Sequence, residues 1–204
     1  MAYYGLSYSA GSLPGNIFVN NVINGFVELV AYILCAALLD KLGRRLLMAG
    51  PLVFGGGACL AAMVLQNFIG GDTAIEISRW LMFGGKFGVS AAFATVWIFA
   101  AELYPTSIRT IALGMGSMSG RIGGIISPQI NAFYTTVPWL PPLIFGGVCI
   151  LGGVLTMMLP ETTGRPMLNT IEEANKFYKK EKEQKTALHY VLHPVLHLYL
   201  AKGQ

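Results

Sequence analysis

The chain has 204 residues, of which 54% are hydrophobic and only 12% are charged. A soluble domain of this length needs more charge to cover its surface, so the composition excludes an ordinary water-soluble protein. The formal net charge is +4, and the apolar residues lie in long blocks instead of an amphipathic stripe. The fold class that we predict is therefore an all-α membrane protein.

The first stretch, residues 1–21, contains an apolar part that is too short to cross a bilayer. It has no basic region and no cleavable signal pattern, so it does not resemble a targeting segment. An earlier helix, and with it an earlier part of the protein, is therefore expected upstream.

Five later segments each reach the roughly 20 apolar residues that a membrane crossing needs. They form a predicted transmembrane domain over residues 22–159, with spans at 22–39, 46–68, 80–101, 110–130 and 139–159. The second and fifth spans contain no charged residue, and the others contain one each: Glu28, Lys86 and Arg121. Ionisable groups inside a bilayer are costly unless they are paired or hydrated, so these three are functional candidates. Lys86 is also close enough to the outer end of its span to snorkel outward.

Basic residues cluster on one side of the predicted membrane domain. The turns at 40–45 and 102–109, together with a tail over 160–204, hold 11 of the 14 lysines and arginines. Positively charged loops tend to stay on the cytoplasmic side of a membrane. We therefore predict a multi-pass protein of the plasma membrane with an external N-terminus and a cytoplasmic C-terminus.

Small side chains within the spans indicate packing. A doubled GxxxG pattern in the fourth span predicts a flat face for close helix contact, formed by Gly116, Gly120 and Gly124. Each of the three cysteines lies inside a span, where we expect a small buried hydrophobe. Neither disulfide nor metal-ligand spacing is present, so no metal and no cofactor are predicted.

Three motifs occupy the predicted cytoplasmic side: D-K-L-G-R-R at 40–45, A-E-L-Y-P-T-S-I-R at 101–109 and P-E-T-T-G-R at 160–165. Their cations could simply anchor the protein at the inner surface. That interpretation does not explain Asp40 and Gly43, and Asp40 could accept backbone N–H bonds from a nearby helix start. We expect a ring of ion pairs that holds helix ends together in one state, built from Asp40, Glu102, Glu161, Arg44, Arg45, Arg109 and Arg165.

Together these motifs resemble the major facilitator superfamily, and most closely its organic cation, anion and zwitterion (carnitine-type) transporters. The resemblance runs over residues 3–174 and includes Y-Y-G-L-S at 3–7, V-E-L-V-A-Y at 27–32 and S-G-R-I-G-G-I-I-S-P at 119–128. It implies that residues 1–21 hold the end of that family's seventh helix and an external loop, and that the family's helices eight to twelve follow. The first six helices would then be absent.

The resemblance also implies where a substrate binds. In the family, the residue at the place of Arg121 bears on substrate charge, and arginine there is common in anion and carnitine-type carriers. Arg121 would then bind a carboxylate, whereas Glu28 and Tyr32 would suit a cationic group. Lys86 and Tyr4 are expected in the same cavity. An alternative stays open, in which Glu28 and Arg121 form an ion pair that only ties two helices together.

The predicted function is secondary-active transport of a small organic ion by alternating access. No nucleotide-binding loop is present, so ATP is not expected to drive it in this chain, and neither enzymatic activity nor a nucleic-acid partner is predicted. The expected partners are the organic ion, the lipid bilayer, and the missing N-terminal half or a full-length carrier. The alternative is a non-transporting truncated isoform that binds or regulates a full-length carrier.

The tail contains an apolar segment, 188–200, with histidines four residues apart at His189, His193 and His197. Pro194 interrupts their helical spacing and no carboxylate joins them, so a metal site is not predicted. We interpret the segment as an interfacial helix or as sequence from altered splicing.

Overall fold

A computed structural model describes residues 1–9, 16–69, 71–137, 139–164 and 172–173 of the chain. No strand occurs among them, and their helices confirm the all-α prediction. In chain order the helices are α1 (Ala2–Ser9), α2 (Ile17–Leu42), α3 (Arg44–Val64), α4 (Asp72–Leu103), α5 (Arg109–Ala132) and α6 (Leu140–Met157). A π-helical turn, Leu65–Ile69, extends α3, and a 3₁₀ turn, Phe133–Thr135, follows α5. The histidines of the tail lie outside the described residues.

Five long helices lie where the five spans were predicted, but four of the described helices are long and apolar enough to cross a membrane. These four are α2, α3 with its π-helical turn, α4 and α6. The count of five is therefore not confirmed. The helix that falls short is α5, because glycine, serine and Arg121 replace much of its apolar surface.

Two of the helices begin more than one turn earlier than the apolar pattern predicted. The first is α2, which begins at Ile17, where the Asn16 side chain accepts a hydrogen bond of 2.9 Å from the backbone N–H of Phe18. This cap satisfies a donor that a helix start leaves free, so the helix extends beyond the apolar block. The second is α4, which begins at Asp72 instead of residue 80. Because α2 begins at Ile17, the last part of the segment predicted as a helix end and an external loop, 1–21, is helical as well.

Glycines bring α3, α4 and α6 close together. A Cβ placed at Gly88 of α4 would lie 2.4 Å from the carbonyl oxygen of Pro51 in α3. Similarly, a Cβ at Gly56 of α3 would lie 2.8 Å from the carbonyl oxygen of Gly146 in α6. Small residues allow this approach, and van der Waals packing then holds the helices together within lipid. Helix α3 therefore packs between α4 and α6.

The doubled GxxxG pattern of α5 does not pack in this way. A Cβ at Gly116 or Gly120 would meet no atom within 4 Å in the described part of the chain, and one at Gly124 would lie 3.5 Å from the ring of Tyr4. The close packing predicted for the first two glycines thus finds no partner there. The spacing identifies a flat face but not what lies on it, and here the face borders a groove.

Gly88 and Gly84 offer a matched test of the packing, since they lie one turn apart in α4. We expect Gly88→Ala to destabilise the protein by about 1–3 kcal/mol, because the added methyl group overlaps backbone atoms. Gly84→Ala adds its methyl group where no atom lies within 4 Å, so it should be neutral or stabilising by up to about 1 kcal/mol through helix propensity. Thermal unfolding in detergent measures both variants. Equal stabilities would contradict the close approach of α3 and α4.

Candidate functional site

The three predicted cytoplasmic motifs meet around the Arg44 side chain at one end of the bundle. Its Nη1 lies 3.2 Å from Asp40 Oδ1, and its Nε lies 3.2 Å from Glu102 Oε2. The same Glu102 accepts a hydrogen bond of 2.7 Å from the Thr162 hydroxyl. Because the Asp40 side chain is exposed, its ion pair contributes less than the one with Glu102. The ends of α2, α3 and α4 and the segment after α6 are thereby joined.

Glu161 caps the start of α3. The residue before this helix is Gly43, which has a φ of +84° and no side chain that could accept a hydrogen bond. Glu161 Oε1 accepts from the backbone N–H of Arg44 at 2.9 Å, and Oε2 accepts from that of Arg45 at 3.3 Å. Burial would raise the pKa of Glu161, but hydrogen bonds from the Thr163 hydroxyl and from these amides outweigh it and hold the pKa below its usual value. The carboxylate is thus ionised at the positive end of a helix dipole.

The other members of the predicted ring depart from the expectation. The helix cap expected of Asp40 is supplied by Glu161. Arg45 contributes its backbone amide, and its buried Nε has no hydrogen-bond partner among the described residues. Arg109 donates to a backbone carbonyl oxygen at 3.5 Å. Arg165 lies outside the described residues, so its part in the ring stays a prediction.

A second group of charges lies inside the membrane domain, where α1, α2 and α4 meet. Lys86 Nζ lies 3.1 Å from Glu28 Oε2 and donates to the Ser7 hydroxyl oxygen at 2.6 Å. Glu28 Oε1 accepts hydrogen bonds from the hydroxyl groups of Tyr3 at 2.5 Å and Tyr32 at 2.6 Å. The side chain of Lys86 is 2% exposed and that of Glu28 is 23% exposed. We call these five residues the charge network.

The charge network differs from both earlier alternatives. The ion pair between Glu28 and Arg121 does not form, because Lys86 and two tyrosines already bind the Glu28 carboxylate. Lys86 does not snorkel outward, since its ammonium group is buried against that carboxylate. The roles of Tyr3 and Ser7 were not predicted from the sequence. Their i, i+4 spacing puts both on one face of a short helix, which is the signal that could have identified them.

A groove with a volume of about 350 Å³ lies between α4 and α5, next to the charge network. The ring of Tyr3 stacks on that of Phe93, with centroids 4.2 Å apart and planes inclined by 9°. Phe93 is also part of the groove wall, so the groove and the network share an aromatic boundary. The described residues that line the groove are Tyr4, Phe93, Val96, Trp97, Ala100, Ala112, Leu113, Gly116, Ser117, Gly120 and Arg121.

The predicted substrate residues fall into two sets. Arg121 and Tyr4 line the groove, and Arg121 is the charged residue in its described lining. Glu28, Tyr32 and Lys86 belong to the charge network instead. The groove can therefore offer a guanidinium group to an anion and aromatic rings to a cationic or apolar group.

Comparison with known proteins finds similar sequences along most of the chain. The family model described as Major Facilitator Superfamily matches residues 1–201. The chain is 41% identical to the organic cation transporter-like protein of Drosophila melanogaster and 42% identical to solute carrier family 22 member 15 of Xenopus tropicalis. It is 36% identical to organic cation/carnitine transporter 2 of Homo sapiens. These matches cover 88%, 85% and 93% of this chain but 31%, 33% and 33% of the relatives, so the chain spans about a third of their length.

Glu28→Gln should destabilise the protein by about 3–5 kcal/mol, because it leaves the buried Lys86 ammonium group without its counter-charge. Glu76→Gln is the matched control. Glu76 pairs with Arg79 at 2.7 Å, but its side chain is 55% exposed, so its replacement should change the stability by about 1 kcal/mol or less. Thermal unfolding in detergent compares the stabilities of the two purified variants with that of the wild type. Similar effects of both substitutions would contradict the importance of the buried pair.

Proposed function

The chain belongs to the major facilitator superfamily, and we propose that it is the C-terminal membrane domain of a secondary transporter for small organic ions that carry a carboxylate. The observation that carries this proposal is the groove, which combines an aromatic wall with the Arg121 guanidinium group. Its volume of about 350 Å³ lies within the range of about 300–1,000 Å³ that is usual for small-molecule sites. The transporter class agrees with the names of the relatives and with a multi-pass helical membrane protein.

Arg121 favours a carboxylate as the ligand group. A guanidinium group binds a carboxylate through two parallel N–H···O hydrogen bonds, which adds geometric selectivity to the attraction of charge. None of the other described lining residues is charged, so the positive charge of Arg121 is not offset within the groove lining. The negative charge of Glu28, in contrast, is balanced by Lys86, whose Nζ lies 3.1 Å from the Glu28 carboxylate. The groove thus presents a net positive charge to a ligand.

A quaternary ammonium group would suit the aromatic side of the same groove. The rings of Phe93 and Trp97 meet edge to face with centroids 6.0 Å apart, and those of Tyr4 and Phe93 lie 6.2 Å apart. Such rings attract cations through their π-faces. We therefore assign to these rings the role that sequence analysis gave to Glu28 and Tyr32. One relative is named for carnitine, which carries both a carboxylate and a quaternary ammonium group.

The joined helix ends around Arg44 would control access to the groove. In alternating access, the two sides of a central site open in turn as helical halves rock against each other. The contacts of Arg44 with Glu102 and of Glu161 with the start of α3 hold several segments together at one end. We propose that these contacts form when that end is closed and break when it opens.

Transport would also require a second wall for the groove. We propose that a longer form of this chain or a full-length carrier supplies it, since transporters of this kind enclose their site between two halves. Arg121 is exposed in the described chain, and a charged group that faces lipid is costly, which also favours a second candidate function, a non-transporting form that binds a full-length carrier. Liposomes that contain only this chain should show no saturable uptake. Co-purification with a full-length carrier would favour the second candidate, and robust uptake by the chain alone would contradict both.

Arg121→Ala should weaken the binding of carnitine to the carrier roughly tenfold to a hundredfold, since a hydrogen bond to a charged group contributes about 1.5–3 kcal/mol. Arg121→Lys should recover part of the affinity, because a point charge lacks the planar fork of the guanidinium group. Carnitine methyl ester has no carboxylate and should bind the wild type and both variants alike. Competition binding measures the affinity of the wild type and of each variant for carnitine and for its methyl ester. Equal losses for carnitine and its ester would show that Arg121 does not bind the carboxylate.

Lys41 and Glu76 test the proposed orientation, in which the end with the three motifs faces the cytoplasm. A membrane-impermeant maleimide should label the Glu76→Cys variant in intact cells and the Lys41→Cys variant only after permeabilisation. The native thiols of Cys35, Cys59 and Cys149 are buried, which keeps the background labelling low. The reverse pattern of labelling would mean that the charge asymmetry had been assigned to the wrong side.

A further inference from the structure

We infer that Lys86 is a tethered cation: its ammonium group fills a binding site, built by α1, α2 and α4, that fits the primary ammonium group of a free alkylamine. We call this place the ammonium site and define it by the Glu28 carboxylate, the Ser7 hydroxyl and the ring of Tyr3. It lies on the far side of the aromatic boundary from Arg121. The inference concerns what the charge network can bind and is independent of the ligand proposed for the groove.

The ammonium site offers three different groups that recognise an ammonium ion. Glu28 Oε2 supplies negative charge 3.1 Å from Lys86 Nζ, and the Ser7 hydroxyl oxygen accepts a hydrogen bond at 2.6 Å. The ring centroid of Tyr3 lies 3.8 Å from the same nitrogen, which is a cation–π distance. The Ser7 hydroxyl donates its own proton to the backbone carbonyl of Tyr3 at 2.8 Å, which leaves its lone pairs for the ammonium group. All three groups would recognise a free alkylammonium ion equally well.

Contacts that do not involve Lys86 hold the walls of the ammonium site. Glu28 accepts the hydroxyl groups of Tyr3 and Tyr32 on Oε1, whereas Lys86 lies against the other oxygen, Oε2. The Tyr3 ring also stacks on Phe93. Removal of the Lys86 side chain therefore leaves the carboxylate and the ring in place. The partly buried carboxylate would then lack a counter-charge, which makes a free cation a favourable occupant.

The covalent attachment of the Lys86 ammonium group to the chain keeps the Glu28 carboxylate unavailable to external cations. A cation that approaches Glu28 must displace an ammonium group attached to the same protein, which acts at a high effective concentration. Glu28 is therefore occupied in the wild-type chain, although 23% of its side chain is exposed. Replacement of Lys86 by a small residue should free this carboxylate and create affinity for amines.

The test uses Lys86→Ala and propylammonium, which supplies the three carbons and the ammonium group that alanine lacks relative to lysine. Lys86→Ala should lower the Tm of the purified chain in detergent. Propylammonium should then raise the Tm of this variant in a saturable way, because a ligand that binds the folded state stabilises it. The wild type should not respond, since its site is already filled. Sodium at the same concentration controls for ionic strength.

Two comparisons make the test specific to the ammonium site. The double variant Glu28→Gln/Lys86→Ala lacks the carboxylate and should not respond to propylammonium. Propyltrimethylammonium has the same charge but no N–H donor, so it should stabilise Lys86→Ala much less than propylammonium does. The inference is overturned if propylammonium stabilises Lys86→Ala no more than sodium does, or no more than it stabilises the double variant.

Binding of propylammonium to the ammonium site can also be tested if Lys86→Ala does not stay folded without an amine. In that case the measurement is the yield of monodisperse protein after purification with and without propylammonium. A higher yield with propylammonium, absent in the double variant, supports the ammonium site, and an unchanged yield overturns it. Neither readout depends on transport or on Arg121, so failure here leaves the proposed function standing.

Discussion

The ion pair between Lys86 and Glu28 is the interaction on which the arrangement of α1, α2 and α4 depends. An isolated ammonium group within a bilayer costs several kcal/mol, so the burial of Lys86 requires the carboxylate 3.1 Å away. That requirement fixes how α2 and α4 lie against each other. Tyr3 donates to the same carboxylate and thereby positions α1. One ion pair thus orients three helices, in a region where apolar contacts alone do not fix the rotation of a helix.

The charge network and the groove are two sides of one aromatic boundary. Phe93 lines the groove, and its ring stacks on Tyr3, whose hydroxyl binds Glu28. A ligand that displaces Phe93 must either break the stacking or move Tyr3, and a movement of Tyr3 changes the hydrogen bonds of Glu28. The shape of the groove therefore depends on a charge pair that does not line it.

Contacts at helix ends could be predicted from the sequence, whereas contacts between helix faces could not. A short turn makes α2 and α3 antiparallel neighbours, and the number of spans puts the other two motifs on the same side. The meeting of the three motifs follows from that count, whereas the particular partners of Arg44 and the cap supplied by Glu161 required the structure. Within a span, however, an apolar pattern does not give the rotation of the helix. The partner of Glu28 and the surroundings of the α5 glycines depend on that rotation, so both required the structure.

The cap on α3 also imposes an order on assembly. The Arg44 amide and its acceptor Glu161 are 117 residues apart, and at about 5–20 residues per second translation adds the acceptor roughly 6–23 s after the donor. During that interval the first amides of α3 must find water or lipid headgroups, because Gly43 has no side chain to offer them. The segment after α6 must therefore be synthesised before the first turn of α3 can be capped.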